Sequence, residues 1–163
     1  MPVSAPTAKI PEFKYVDLTG ANQALTFDYP PINVVPMVVN PLRADTIAGD
    51  GTAYSTWWYD EVYTTLTAQV PLGPSLTNWL AFLLAAANGQ VVQYLPDHTN
   101  PGYSVNVRLM IGSQSSGSGS SSVAPSGNPA PKRVGFGMYQ VDVVLRYETP
   151  TDAPTAFAAL NGL

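Results

Sequence analysis

Between Val62 and Leu95 the chain carries no charged residue, and within that run its hydrophobic period changes once. Up to Val70 the period is two. Val62, Thr64, Leu66, Ala68 and Val70 share one face of an extended chain, and Tyr63, Thr65, Thr67 and Gln69 share the other. Alternation rich in β-branched and aromatic residues is a strand pattern, because successive side chains of a pleated chain point to opposite faces. From Leu76 the period is 3.6. Leu76, Trp79, Leu80, Leu83, Leu84 and Ala87 recur at i, i+3, i+4, i+7, i+8 and i+11, one stripe of an α-helix. Pro74 with Ser75 or Thr77 provides the start and Asn88-Gly89 the stop, so the helix is expected at about residues 75–88. Its other side holds Thr77, Asn78, Phe82 and alanines, which is polar enough only for a helix buried on most sides.

Strand patterns flank this segment on both sides. Phe13 to Leu18 and Ala24 to Tyr29, joined by the turn Thr19-Gly20-Ala21-Asn22, read as a hairpin closed by Pro30-Pro31. Val34 to Val39 is β-rich, but Pro36 cannot donate to a ladder, which assigns the segment to a sheet edge or a bulge. Arg43 to Ala48 is a short strand followed by Gly49-Asp50-Gly51, where Asp-Gly favours a primed hairpin turn. The long strand then covers Thr52 to Val70. After the helix come Gln90 to Leu95, Tyr103 to Ile111 and Met138 to Tyr147. Strands, one helix, then strands predict a mainly β fold, a β-sandwich or barrel with one flanking α-helix. Residues 1–12, with Pro2, Pro6 and Pro11, form an extended N-terminal arm in this reading. Residues 13–148 form a single β-rich domain, interrupted by a flexible Ser/Gly/Pro loop at 113–131. Residues 149–163 form a C-terminal tail.

Composition narrows the function. The 163 residues include 7 Lys and Arg and 11 Asp and Glu, so 11% are charged, against about 25% in ordinary soluble domains. A net charge of −4 argues against electrostatic nucleic-acid binding. With no cysteine there is no disulfide framework, thiol nucleophile or thiolate metal site. The N-terminus lacks the basic and apolar regions of a signal peptide, and the apolar stretch Leu76–Ala87 is too short for a span of ~20 residues. The expectation is a protein made and used without crossing a membrane by itself.

The search for chemistry gives no enzyme. There is no nucleophile elbow, zinc-protease motif or phosphate loop. His98 beside Asp97 is the one acid–base pairing in sequence, but Leu95 to Gly102 is turn chemistry, and a lone turn histidine lacks a positioned partner. Asp60 and Glu61 are adjacent and point to opposite faces of a strand. Asp45 and Asp50 do not have the Ca²⁺-loop spacing. No catalytic residue, cofactor or metal site is expected.

Aromatic residues and missing charge instead point to contact with partners. Trp57-Trp58-Tyr59, with Tyr54 and Tyr63, combine residue types enriched in interface cores, and two consecutive Trp place one ring on each strand face. A free monomer normally protects exposed strands with charge, and Val62–Leu95 has none. Trp57, Trp58, Tyr59, Tyr63, Thr65, Thr67 and Gln69 are therefore the interface candidates. A carbohydrate-binding sandwich that stacks sugars on Trp57, Trp58 and Tyr59 is the alternative from a different class.

Tyr15-Val16-Asp17-Leu18 with Thr26-Phe27-Asp28-Tyr29-Pro30-Pro31 resembles the opening of small tail proteins of tailed bacteriophages. Trp79, Phe82, Ala86 and Gly89, followed by Tyr94-Leu95-Pro96-Asp97 and Tyr103, continue the resemblance. Gly137-Met138-Tyr139-Gln140-Val141-Asp142-Val143-Val144-Leu145-Arg146 is similar to their closing strand. The likeness covers roughly residues 13–148 and is to distal-tail or baseplate components with a tail-tube-like fold. It implies a structural virion protein in a homo-oligomeric ring, usually a hexamer, joining the tail tube to the tip. Neighbouring tube and tail-tip proteins would be its partners, and it would be assembled in the host cytoplasm. Tail tube and tail terminator are alternative positions for the same fold. The 113–131 insertion and the segment after Glu148 depart from the family pattern.

Overall fold

The computed structural model describes residues 7–110 and 130–163, without the side chains of residues 42, 43 and 57–59. Residues 113–129 of the predicted Ser/Gly/Pro loop and the first six residues of the predicted N-terminal arm lie outside the described residues. The elements are β1 (Glu12–Val16), β2 (Asn22–Thr26), β3 (Ile32–Ile47), β4 (Ala53–Pro71), α1 (Pro74–Ala86), β5 (Val92–Leu95), β6 (Val105–Leu109), β7 (Lys132–Gly135), β8 (Met138–Tyr147) and α2 (Asp152–Leu160).

The fold is mainly β, as the alternation requires, and every strand pairing among the described residues is antiparallel. The strands form one sheet in the order β2-β1-β5-β6-β8-β4-β3, with β7 on the first residues of β8. β2 and β3 are its two ends and do not pair with each other, so the predicted barrel is an open sheet rather than a closed one. α1 touches β1, β2 and β4. Three strands separate β1 from β4, about 19 Å at ~4.8 Å per strand on a flat sheet. A helix about 10 Å across reaches both only because the sheet curls around it.

α1 corrects the sequence reading. Its buried residues are Trp79, Phe82, Leu83, Ala85 and Ala86, whereas Leu80 and Leu84 are 50% and 63% exposed. Residues 79, 82, 83 and 86 form a helical stripe as valid as the one through Leu80 and Leu84. The stripe with the larger rings is the one buried, because more apolar area leaves water. Phe82 stacks on Phe13 at 4.9 Å and meets Tyr15 edge-on at 4.9 Å, while Trp79 meets Phe27 at 4.9 Å. Ala85 and Ala86 let the helix approach the sheet closely.

The predicted C-terminal tail is also corrected. Residues 152–160 form α2, and Ala153, Ala156 and Leu160 join the main core. Their i, i+3, i+7 spacing carries a helical signal that Ala and Thr composition obscures. Pro154 falls in the first turn, where a missing N–H does no harm. The helix end holds the N-terminal segment, since the Lys9 N–H donates to the Leu160 carbonyl at 2.8 Å.

Pro36 sits where its missing donor is tolerated. β3 is the edge strand, and its register shifts between Ile32 and Val35 and again between Val35 and Val38. The β3–β4 turn differs from the expected primed type. Gly51 donates to the Ala48 carbonyl and has φ 83, whereas Asp50 does not have positive φ. That is the type I turn followed by a left-handed glycine that three-residue hairpin loops use.

Candidate assembly surface

β3 and β4 together make an arm. β4 pairs with β8 only over Tyr63 to Pro71. Its first residues, Ala53 to Asp60, pair with β3 residues Pro41 to Ile47 and, among the described residues, with no other strand. Those eight residues extend about 26 Å at ~3.3 Å per residue. Residues 44–47 and 53–56 are exposed on both pleat faces, including Ile47 at 75% and Tyr54 at 58%. A two-stranded hairpin is marginally stable in water by itself, so a ribbon with apolar groups on it gains from a covering surface.

The predicted interface residues divide between this arm and the body. Trp57, Trp58 and Tyr59 lie on the arm. Tyr59 is in register with Leu42 and Trp57 with Arg43, so Trp58 is the extra residue of a bulge that breaks strict alternation. Their side chains are outside the described part of the structure. Thr65 and Gln69 are partly exposed on the face of β4 that turns away from the core. Tyr63 is instead 1% exposed and packs with Met110, Val144 and Val38. Thr67 is buried and donates to Asp142 Oδ1 at 2.7 Å. These two are covered by the chain's own residues, which removes them from the set available to a partner.

A polar network fixes the root of the arm. Asn40 on β3 and Glu61 on β4 are directly opposed. The buried Glu61 carboxylate accepts from the Tyr63 hydroxyl and, at 3.4 Å, from Asn40 Nδ2, and lies 3.6 Å from Arg146 Nη1. Burial first, and the Glu61 hydrogen bond and charge second, push the Tyr63 hydroxyl far above its ordinary pKa. Arg146 also meets Glu148 at 3.5 Å, and Arg108 Nε donates to Glu148 at 2.7 Å. Arg108 and Arg146 oppose each other across β6 and β8, and Glu148 neutralises the repulsion. The Arg108 hydrogen bond is the main reason the Glu148 carboxyl is held below its usual range. Arg108 Nη1 further donates to the Gly89 carbonyl behind α1 at 2.6 Å.

The β7–β8 turn carries a second exposed feature that the sequence reading missed. Phe136 stands fully in solvent at its tip, between Gly135 and Gly137, with Val134 half exposed. The Gly-Phe-Gly spacing was its one sequence signal.

The acid–base candidates bond to the backbone and side chains around their turn. His98 donates its backbone N–H to the Ile10 carbonyl, and its Nδ1 lies 2.9 Å from the same oxygen. Asp97 accepts from the Thr99 N–H and hydroxyl, which holds its carboxyl below the usual range. Among the described residues no group of three His, Cys, Asp or Glu is placed to hold a metal ion, and no helix is long and apolar enough to cross a membrane. In comparisons with known proteins, no family model matches the chain and no curated protein shows significant similarity to it.

Proposed function

We propose that this chain is a structural subunit of a bacteriophage tail, a distal-tail or baseplate ring component that joins the tail tube to the tip. The single observation that carries the assembly reading is the β3–β4 arm. A ribbon about 26 Å long, exposed on both faces at residues 44–47 and 53–56 and bearing Ile47 and Tyr54, has no third strand beside it among the described residues. Its tryptophans add the residue types that dominate interface energetics. The likeness of the opening and closing strands to phage tail proteins supplies the setting, with a hexameric ring as the expected symmetry. A ring of identical copies needs heterologous contacts that close, and an arm reaching a neighbour provides one.

The test shortens the arm. Replacing residues 42–59 by Asn-Gly leaves Pro41 and Asp60 opposed across a two-residue turn and keeps the Glu61 network. Light scattering should give particles of several subunits for the intact chain and a folded monomer for the shortened one. An intact chain that stays monomeric, or a shortened chain that assembles equally well, would reject the proposal.

A further inference from the structure

Pleat alternation divides the arm into two unlike faces. Ala44 opposes Thr56 and Thr46 opposes Tyr54, so these four residues share one face. Asp45, Ile47, Ala53 and Ser55 share the other, where the Asp45 carboxylate accepts from the Ser55 hydroxyl at 2.6 Å. All eight are exposed, and of the two faces the second carries the charge. The first holds one ring, Tyr54, among three small residues, which leaves room for a ridge of side chains beside the ring.

α1 presents a surface of the same kind. Its outer face holds Leu80, Ala81 and Leu84, all exposed, with Thr77 before them and Ala87 after. Leu80 and Leu84 are i and i+4 on the helix, the spacing that forms a ridge. The whole segment from Val62 to Leu95 has no charged residue. Charges from elsewhere bond to the flanks of the helix: Asp28 accepts from Ser75 at 2.8 Å, and Arg108 donates to the Gly89 carbonyl at 2.6 Å. The chain's own arm does not cover this face. Tyr54 and Pro71 are about 56 Å apart along β4 at ~3.3 Å per residue. α1 starts just after Pro71 and is about 20 Å long at ~1.5 Å per residue.

We infer that the arm face of Ala44, Thr46, Tyr54 and Thr56 packs on the Leu80–Leu84 face of α1 in a second copy. The inference rests on the assembly reading above and names the surface that receives the arm. Absence of charge selects the pairing, since each face covers the other without stripping water from an ion. Phe136, the most exposed of the large apolar residues, has the Arg133 guanidinium 5.7 Å from its ring, so the same arm face laid there would bury a cation. Thr77 and Asn88, toward the ends of the helix face, offer hydrogen-bond partners to the Tyr54 and threonine hydroxyls. Different patches of identical copies meet, the heterologous contact that a ring repeats until it closes.

The chain has no cysteine, so introduced thiols report this contact without background. In the full chain, Ala81→Cys is combined in turn with Ala44→Cys and with Thr46→Cys, changes that keep Tyr54, Leu80 and Leu84. Mild oxidation should give a ladder of cross-linked oligomers from at least one double variant, with the joined peptides identified by mass spectrometry. Each single variant should give no more than a dimer. A disulfide requires Cα atoms within about 7 Å, which only a seated arm provides. Ser55→Cys with Ala81→Cys, on the Asp45 face, should give no ladder. Independently, Leu84→Lys, which alters an exposed side chain, should leave the fold intact by circular dichroism and raise the concentration for half assembly at least tenfold. The inference requires both the link and this loss. Particles that form without a link from residue 81 to 44 or 46, or that are indifferent to Leu84→Lys, overturn the contact and leave the arm reading standing. A ladder from the Ser55 pair overturns the choice of face. An intact chain that is monomeric at every concentration overturns both readings.

Discussion

Replacing Phe82 by Ala and, separately, Leu84 by Ala tests the orientation of α1 and the packing around it. Phe82 is fully buried among three rings: Phe13 stacked at 4.9 Å, Tyr15 at 4.9 Å and Trp79 edge-on at 5.9 Å. Truncating a buried Phe costs about 3–5 kcal/mol, because apolar transfer energy is lost and a cavity is left. Aromatic pairs of this geometry add about 0.5–1.5 kcal/mol each, which favours the upper part of that range. Leu84 is 63% exposed, and surface substitutions cost within about 0.5 kcal/mol. Alanine also has the higher helix propensity, so Leu84→Ala should be neutral. Urea unfolding followed by tryptophan fluorescence and circular dichroism, below the assembly concentration, separates the two. With a urea slope of about 2 kcal/mol per M, Phe82→Ala should lower the midpoint by about 1.5–2.5 M and Leu84→Ala by about 0.25 M or less. A larger loss for Leu84→Ala than for Phe82→Ala would refute the buried stripe.

Other consequences follow from the hydrogen bonds. Tyr63→Phe removes the hydroxyl that donates to the buried Glu61 carboxylate, and should cost about 1.5–3 kcal/mol in the same urea assay; no loss would mean the bond contributes nothing. Asp17, Asp97 and Glu148 are held below their usual carboxyl range, Asp17 mainly by the Thr19 and Gln23 side chains, Asp97 by Thr99 and Glu148 by Arg108. The unfolded chain then binds more protons than the folded one at acid pH. Stability should be level above about pH 5 and fall as pH drops through the ordinary carboxyl range and below it. Thermal melts at graded pH check this, and a rise in stability toward pH 3 would contradict it. Gly51→Ala places a side chain at φ 83, so amide exchange of residues 44–47 and 53–56 should speed up by about fivefold, equivalent to about 1 kcal/mol, while β8 stays protected; equal exchange in both would contradict a locally held turn.

The parts of this fold that were legible in the sequence are those with one dominant period. β8 spans Met138 to Tyr147, as its alternation indicates, and β4 runs from Ala53 to Pro71 against an expected Thr52 to Val70. Pro36 pointed to an edge or a bulge, because a missing N–H admits few positions, and β3 is an edge strand with register shifts on either side of Val35. The buried face of α1 was ambiguous, since two stripes one residue apart both satisfy helical spacing. The choice depended on Phe13 and Tyr15 from β1 and on Phe27 just after β2, which pattern reading cannot bring together. α2 was hidden because its core contacts are made by two alanines and one leucine. The arm was half visible. Its aromatic content stood in the sequence, but its lack of a third strand among the described residues follows from where β8 stops pairing, which is a matter of register. The same register covers Tyr63 and Thr67, so residues of one alternating face met different fates.

The most direct test of the central claim is electron microscopy of the purified full chain at high concentration. The account predicts closed rings around a central opening, built from six copies of the 17.3 kDa chain, with the arm lying against a neighbouring subunit. A field containing only single 17.3 kDa particles, at every concentration examined, would contradict it.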